Sequence, residues 1–151
     1  MKLEWSCKKF SELTTKEFYN ILVARQKVFI IEQNCNYLDC DNKDEYSYHL
    51  LGMDKKNIAS YMRIIPPGIS YKDASMGRIL TTSKYRGRGL GKRLMKEGIL
   101  LARKNFKFSK IKISAQSYLL PFYSSFGFTA QGKEYLEDDI PHTEMVLSLI
   151  K

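Results

Sequence analysis

The sequence predicts a mixed α/β (α+β) fold, a sheet covered by helices, and three observations carry that reading. Strand-type runs come first and then alternate with helical-period runs, the order expected when helices pack on a mixed sheet. A capping box opens the first helix. A glycine-rich turn stands where a strand gives way to a later helix. At 151 residues the chain fits one domain spanning 1–151, since single cores run to about 100–200 residues.

Taken in order, Leu3–Lys8 reads as a first strand. Thr14-x-x-Glu17 is the capping box: the Thr hydroxyl accepts from the backbone N–H three residues on, and Glu reaches back. Phe18, Ile21, Leu22 and Arg25 follow at helical spacing, and Val28–Ile31 is a second apolar helical stretch. Tyr46–Met53 and Ile58–Ile65 read as strands joined by the turn Asp54-Lys55-Lys56-Asn57. Pro66-Pro67-Gly68 ends the second of them, and Ser75–Thr82 is the next strand. The helix from Leu90 to about Lys104 sets Leu90, Leu94 and Leu101 beside Met95, Ile99 and Ala102. Ile111–Ala115 is a short buried-type strand, Leu119–Phe126 a short helix, and Met145–Ile150 a closing strand.

Composition excludes several classes. A hydrophobic fraction of 44% with 27% charged residues is that of a globular protein. No apolar run approaches the roughly 18–20 residues of a membrane span, and the first residues lack a signal-peptide core. Three cysteines are too few and too odd in number for a disulfide framework, which points to a reduced, cytoplasmic setting. The net charge of +9 is local: residues 78–112 hold twelve Lys/Arg against one Asp/Glu. Residues 113–151 hold two against five. Such a patch suits a polyanion, whether nucleic acid, an anionic membrane or a phosphorylated cofactor.

Arg86-Gly87-Arg88-Gly89-Leu90-Gly91-Lys92 lies between strand and helix. Glycines there let successive N–H groups point one way, and the helix start adds partial positive charge, so the segment is an anion cradle. Position 86 is Arg and position 93 is Arg, which breaks the Walker pattern; the Rossmann pattern breaks because Gly91 falls one residue early. Arg86, Gly89 and Gly91 instead match [Gln/Arg]-x-x-Gly-x-[Gly/Ala], and Phe122-Tyr123-Ser124-Ser125-Phe126-Gly127-Phe128 follows one helix and one strand later. In this the chain resembles the GNAT acetyltransferases.

Further short elements narrow the resemblance to the ElaA-like branch. They include Arg25-x-x-Val28-Phe29-x-x-Glu32-Gln33-x-Cys35-x-Tyr37, then Asp41, Asp44, His49, Gly77-Arg78 and Ala115-Gln116. Tyr135-x-Glu137-Asp138-x-Ile140-Pro141-His142-x-x-Met145 completes the set. One departure is Asp139, where the family pattern has Gly, and it bears on the geometry of that loop.

The resemblance implies a GNAT fold, with a mostly antiparallel mixed sheet of about six or seven strands flanked by about four helices. It also implies direct acetyl transfer from acetyl-CoA to an amine. The pyrophosphate would lie on the loop of Arg86, Gly87, Arg88, Gly89, Leu90, Gly91 and Lys92. The pantetheine arm would run along Ile79, Leu80 and Thr81 where that strand splays from the next, with Gln116 alongside. An N–H near Leu80 would polarise the thioester carbonyl, and Tyr123 would protonate the departing thiolate. The base is open among Glu32, His49, Glu137 and His142. His49, Glu137 and Asp138 are candidates for holding the amine, whether small molecule or peptide, and the acidic run from Glu137 to Asp139 opposes the basic cofactor half. Arg25 is expected to pair with an acid inside the fold, and Asp39, Asp41, Asp44 and Glu45 to form a solvated turn. Cys35, Cys40 and His49 are spaced unlike a zinc module, so no metal is expected. The aromatics do not interleave with the basic residues, which speaks against a nucleic-acid module. A silent acyl-CoA sensor on the same fold remains the other alternative, and Tyr123 is the residue that favours an enzyme.

Overall fold

A computed structural model describes residues 1–150. Seven strands form one sheet in the order β1-β2-β3-β4-β5-β7-β6. They are β1 (Glu4–Lys9), β2 (Tyr48–Asp54), β3 (Asn57–Ile65), β4 (Ala74–Thr81), β5 (Lys110–Gln116), β6 (Thr129–Glu137) and β7 (Ile140–Ser148). Every neighbouring pair is antiparallel except β4 with β5. Three α-helices cover it: α1 (Thr15–Arg25), α2 (Leu90–Leu100) and α3 (Leu120–Ser124), supplemented by short 3₁₀ turns.

Adjacent strand residues point to opposite faces, so β2, β3 and β4 each feed two cores. Leu51, Tyr61 and Leu80 pack with Ile21, Ala24 and Val28 of the α1 side. Leu50, Met62, Ile64 and Met76 pack with Leu94 and Met95 of α2 and with Tyr123 of α3. The Thr14/Glu17 capping box forms as expected, with Glu17 N–H donating to Thr14 Oγ1 at 3.0 Å and Thr14 N–H to Glu17 Oε1 at 2.9 Å. The apolar stretch at Val28–Ile31 proves to be a π-helical continuation of α1, Gln26–Glu32. A like turn, Leu101–Asn105, extends α2. The chain runs include a strand that its pattern does not announce: β6 is exposed at nearly every position and offers no alternation of apolar residues.

One irregularity shapes the site. Between β3 and β4 the register slips, with Tyr61 opposite Leu80 but Arg63 opposite Gly77, so one extra β4 residue bulges out. Arg78 stands in the bulge at φ +51°. Bulges bend the strand that carries them. Before this point β4 has already left β5, whose pairing with it is confined to Ala74–Ile111 and Ser75–Lys112.

Candidate active site

The turn between β4 and α2 presents backbone. Gly87 and Gly89 have φ of +78° and +72°, and a Cβ at either would meet nothing within 4 Å. Positive φ and open space together explain glycine here. Gly89 caps α2 without any side-chain hydrogen bond, so the first N–H groups of the helix have no side-chain cap. Arg88 and Lys92 stand exposed around them. Backbone donors, helix dipole and cations beside open space fit a pyrophosphate. A Cβ on Gly91 would lie 3.7 Å from the ring of Phe122, which keeps the loop close to α3.

Where β4 and β5 part, a cavity of about 660 Å³ opens. Ile79, Gln116, Tyr123, Glu137, Asp138 and His142 all line it, six of the residues singled out by sequence. Leu80 and Thr81 pair with Tyr61 and Ser60 instead, and Leu80 buries its side chain on the α1 face. Tyr123 is 7% exposed, and burial, helped by the neighbouring Tyr118, pushes its phenol up to about 12. It therefore carries its proton at neutral pH.

The β6–β7 hairpin supplies the opposite polarity. Glu137 pairs with Ile140 across a turn whose central residues, Asp138 and Asp139, have φ of +50° and +63°. Both signs are positive, as a type I′ turn requires, and Asp is among the residues that bear that region. The Gly-to-Asp departure thus leaves a regular hairpin. His142 Nδ1 donates to the Ile140 carbonyl at 2.7 Å. A carbonyl only accepts, so the neutral ring has its lone pair on Nε2, which lies 3.4 Å from Glu137 Oε2. The Ser114 hydroxyl donates to Glu137 Oε1 at 3.3 Å and is itself hydrogen-bonded to the Tyr135 hydroxyl. The Tyr135 ring stacks on His142 with centroids 6.2 Å apart. Carboxylate and imidazole are held as a pair.

Two other candidate bases stand elsewhere. Glu32 binds Arg86 at 2.5 Å and borders a separate hollow of about 410 Å³ with Thr82 and Tyr85. His49 is fully buried, and both its nitrogens are engaged. Its Nε2–H donates to the Asp44 carbonyl at 2.9 Å, and the Tyr61 hydroxyl donates to Nδ1 at 2.7 Å. Burial lowers its pKa, and it does not border the cavity.

The expected solvated acidic turn is corrected at three of its four acids, while Glu45 stays exposed as expected. Asp39 and Asp44 are buried, Asp41 is half-buried, and all three meet arginines. Arg25, as expected, pairs inside the fold: with Asp39 at 2.8 Å and Asp44 at 2.7 Å. Arg63 grips Asp41 through two hydrogen bonds of 2.7 and 2.8 Å, and Arg78 reaches Asp39 at 2.7 Å. Burial alone would raise the Asp41 carboxyl, but hydrogen bonds and charge from Arg63, then Arg78, hold it at about 2. Asp44 is lowered likewise, Arg25 and Arg63 overcoming its burial. The cluster ties the segment after the π-helical turn down to the sheet. That segment also spans the site. Glu32 meets Arg86, Gln33 Oε1 accepts from Gln116 Nε2 at 3.3 Å, and the Cys35 thiol donates to the Asp138 carbonyl at 3.6 Å.

Sequence reasoning did not single out Ser114 as a site residue. Its signal was present in β5, where Lys112, Ser114 and Gln116 alternate with buried Ile111, Ile113 and Ala115. Polar residues at period two on a strand with one buried face mark a wet face.

Comparison with known proteins identifies the family. Residues 12–149 match the family model described as an acetyltransferase (GNAT) domain. A UPF0039 protein of Synechocystis sp. is 35% identical over 147 residues, covering 97% of this chain and 96% of that one. Protein ElaA of Escherichia coli is 32% identical over 151 residues, with 99% of each covered, and its crystal structure superposes with a TM-score of 0.89. The crystal structure of an acyl-CoA N-acyltransferase from Pseudomonas aeruginosa, 35% identical, gives a TM-score of 0.92 over 96% of this chain and 99% of that one. The chain belongs to the GNAT acetyltransferase domain family, among acyl-CoA-dependent N-acyltransferases with ElaA homologues as close relatives.

Proposed function

We propose that the chain acetylates a primary amine by direct transfer from acetyl-CoA, with Tyr123 as general acid and His142 as general base. The observation that carries this is the parting of β4 from β5 after Ser75, which sets Tyr123 and the Glu137–His142 pair on one cavity. Acetyl-CoA supplies the activated thioester. The chain's own groups do the rest. N–H groups from Arg88 to Gly91 receive the pyrophosphate, and Arg88 and Lys92 offset its charge. Strand edge left unpaired along Ile79–Thr81 satisfies the amides of the pantetheine arm, and an N–H near Leu80 polarises the thioester carbonyl.

Glu137 and Asp138 attract the ammonium. The lone pair on His142 Nε2 takes its proton, and the Glu137 carboxylate stabilises the imidazolium that results. The amine nitrogen then bonds to the acyl carbon, the C–S bond breaks as Tyr123 gives its proton to sulfur, and the amide nitrogen sheds its second proton to solvent. Proton exchange with solvent restores His142 and Tyr123. In this reading Glu32 and His49 are positioning residues, Glu32 through Arg86 and His49 through Asp44 and Tyr61. The three cysteines, too few and too odd in number for a disulfide framework, favour a cytoplasmic setting.

Titration calorimetry with acetyl-CoA tests the donor. A one-to-one complex is expected, and Gly91→Leu, which adds bulk at a helical φ beside Phe122, should weaken it about tenfold or more. Absence of any acetyl-CoA complex, with salt-steep binding of RNA in its place, would hand the basic patch to nucleic acid.

A further inference from the structure

The cavity lining changes character with depth. Its interior holds Tyr123, His142 and Arg63, all buried, whereas Leu38 is 82% and Tyr118 72% exposed on the same lining. Large apolar side chains left in water at the rim of a polar cavity mark a surface that a ligand covers. Half-buried Phe29 and Tyr37 continue that surface inward.

The charges narrow the ligand further. Among the ionised groups on the lining, Asp41 is neutralised by Arg63, and Arg78 by Asp39. Asp138 has no ion pair among the described residues, and Glu137 meets only the ionisable His142. One region of free negative charge therefore faces the acceptor. Elsewhere the lining carries Lys43, a cation with no ion pair among the described residues, which would repel a second ammonium.

We infer that the acceptor is an amine with one ammonium attached to an apolar or aromatic body, and that Leu38 and Tyr118 select that body. This rests on the acyltransferase reading, since the ammonium is placed at Glu137 and Asp138. A free arylalkylamine and the first residue of a peptide with an aromatic side chain share this chemistry. Polyamines and amino sugars do not: one brings extra cations, the other a hydroxylated body that apolar side chains cannot satisfy.

The experiment measures thiol release from acetyl-CoA with 2-phenylethylamine, a Phe-headed tripeptide amide, ethylamine, spermidine and glucosamine. The inference expects phenylethylamine or the tripeptide to exceed spermidine and glucosamine at least tenfold in kcat/KM; which of the two leads identifies the source. In the double variant Leu38→Ser with Tyr118→Ser, the preference for phenylethylamine over ethylamine should fall about tenfold, the worth of an apolar side chain buried against a ligand. The KM for acetyl-CoA should hold. Spermidine or glucosamine matching the aromatic amines, or a preference unaltered in the variant, overturns the inference while leaving acetyl transfer intact. Direct titration of phenylethylamine without donor separates the two readings. Binding that is lost in the double variant, from a protein that takes no acetyl-CoA, sinks the donor reading and keeps this one.

Discussion

Arg25→Met is the substitution whose cost the structure defines best. The guanidinium is completely buried and holds Asp39 at 2.8 Å, Asp44 at 2.7 Å and the Asp39 carbonyl at 3.2 Å. Methionine fills much of the volume but leaves the acids short of one cation. Removing one partner of a buried pair costs about 3–5 kcal/mol. Here each acid keeps another arginine: Asp39 still meets Arg78 at 2.7 Å, and Asp44 still meets Arg63 at 3.1 Å. The lower end, about 3 kcal/mol, is therefore expected. With a urea slope of about 2 kcal/mol per molar, the midpoint should fall by about 1.5 M, read from the fluorescence of Trp5, the sole tryptophan. The pH dependence checks the cause. Asp41 and Asp44 titrate below their ordinary range in the fold, so their stabilisation is full above the unfolded value near 3.8 and is lost as pH falls through the folded values, about 2 for Asp41. Arg25→Met relaxes Asp44, so the gap between wild type and variant should be widest at neutral pH and narrow as the pH falls below about 4. A midpoint shift under about 0.5 M, or a gap constant across that range, would refute the account.

Two further predictions concern the chemistry. Tyr123→Phe preserves the ring contacts with Phe122 and Phe128 and removes only the hydroxyl, so kcat should drop by roughly 10²–10⁴-fold with acetyl-CoA affinity kept. Undiminished turnover would assign thiolate protonation to solvent. His142→Ala should abolish the acidic limb of the kcat/KM profile, whereas Ser114→Ala, which frees Glu137, should shift that limb without removing it. A limb that persists unchanged in both variants would take His142 out of the base role.

Local chemistry was legible in the sequence where it depended on neighbours along the chain. The Thr14/Glu17 box needs only three residues of context, and the Gly87–Gly91 turn declares itself by positions at positive φ and by its place before a helix. What depended on distant partners was not. Asp39 lies fourteen residues from Arg25 and thirty-nine from Arg78, and no periodicity links them, so three carboxylates in a turn look solvated until the sheet brings the guanidinia beneath them. The role of His49 was hidden for the same reason, because Tyr61 and the Asp44 carbonyl reach it only in the fold. Strand β6 was invisible on other grounds. As an edge strand with both faces wet it has no burial to imprint an alternation, and its pairing with β7 alone defines it.

The short segment from Glu32 to Cys35 touches the phosphate-loop arginine, the end of β5 and the hairpin turn in succession. On the proposed assignment, these four consecutive residues link the donor side of the site to the acceptor side. On that assignment, a phosphate that drew Arg86 away from Glu32 would also pull on the segment that carries Cys35, and so on its contact with the Asp138 carbonyl. Linkage of this kind runs both ways: by whatever factor a bound donor changes the affinity for amine, a bound amine changes the affinity for donor.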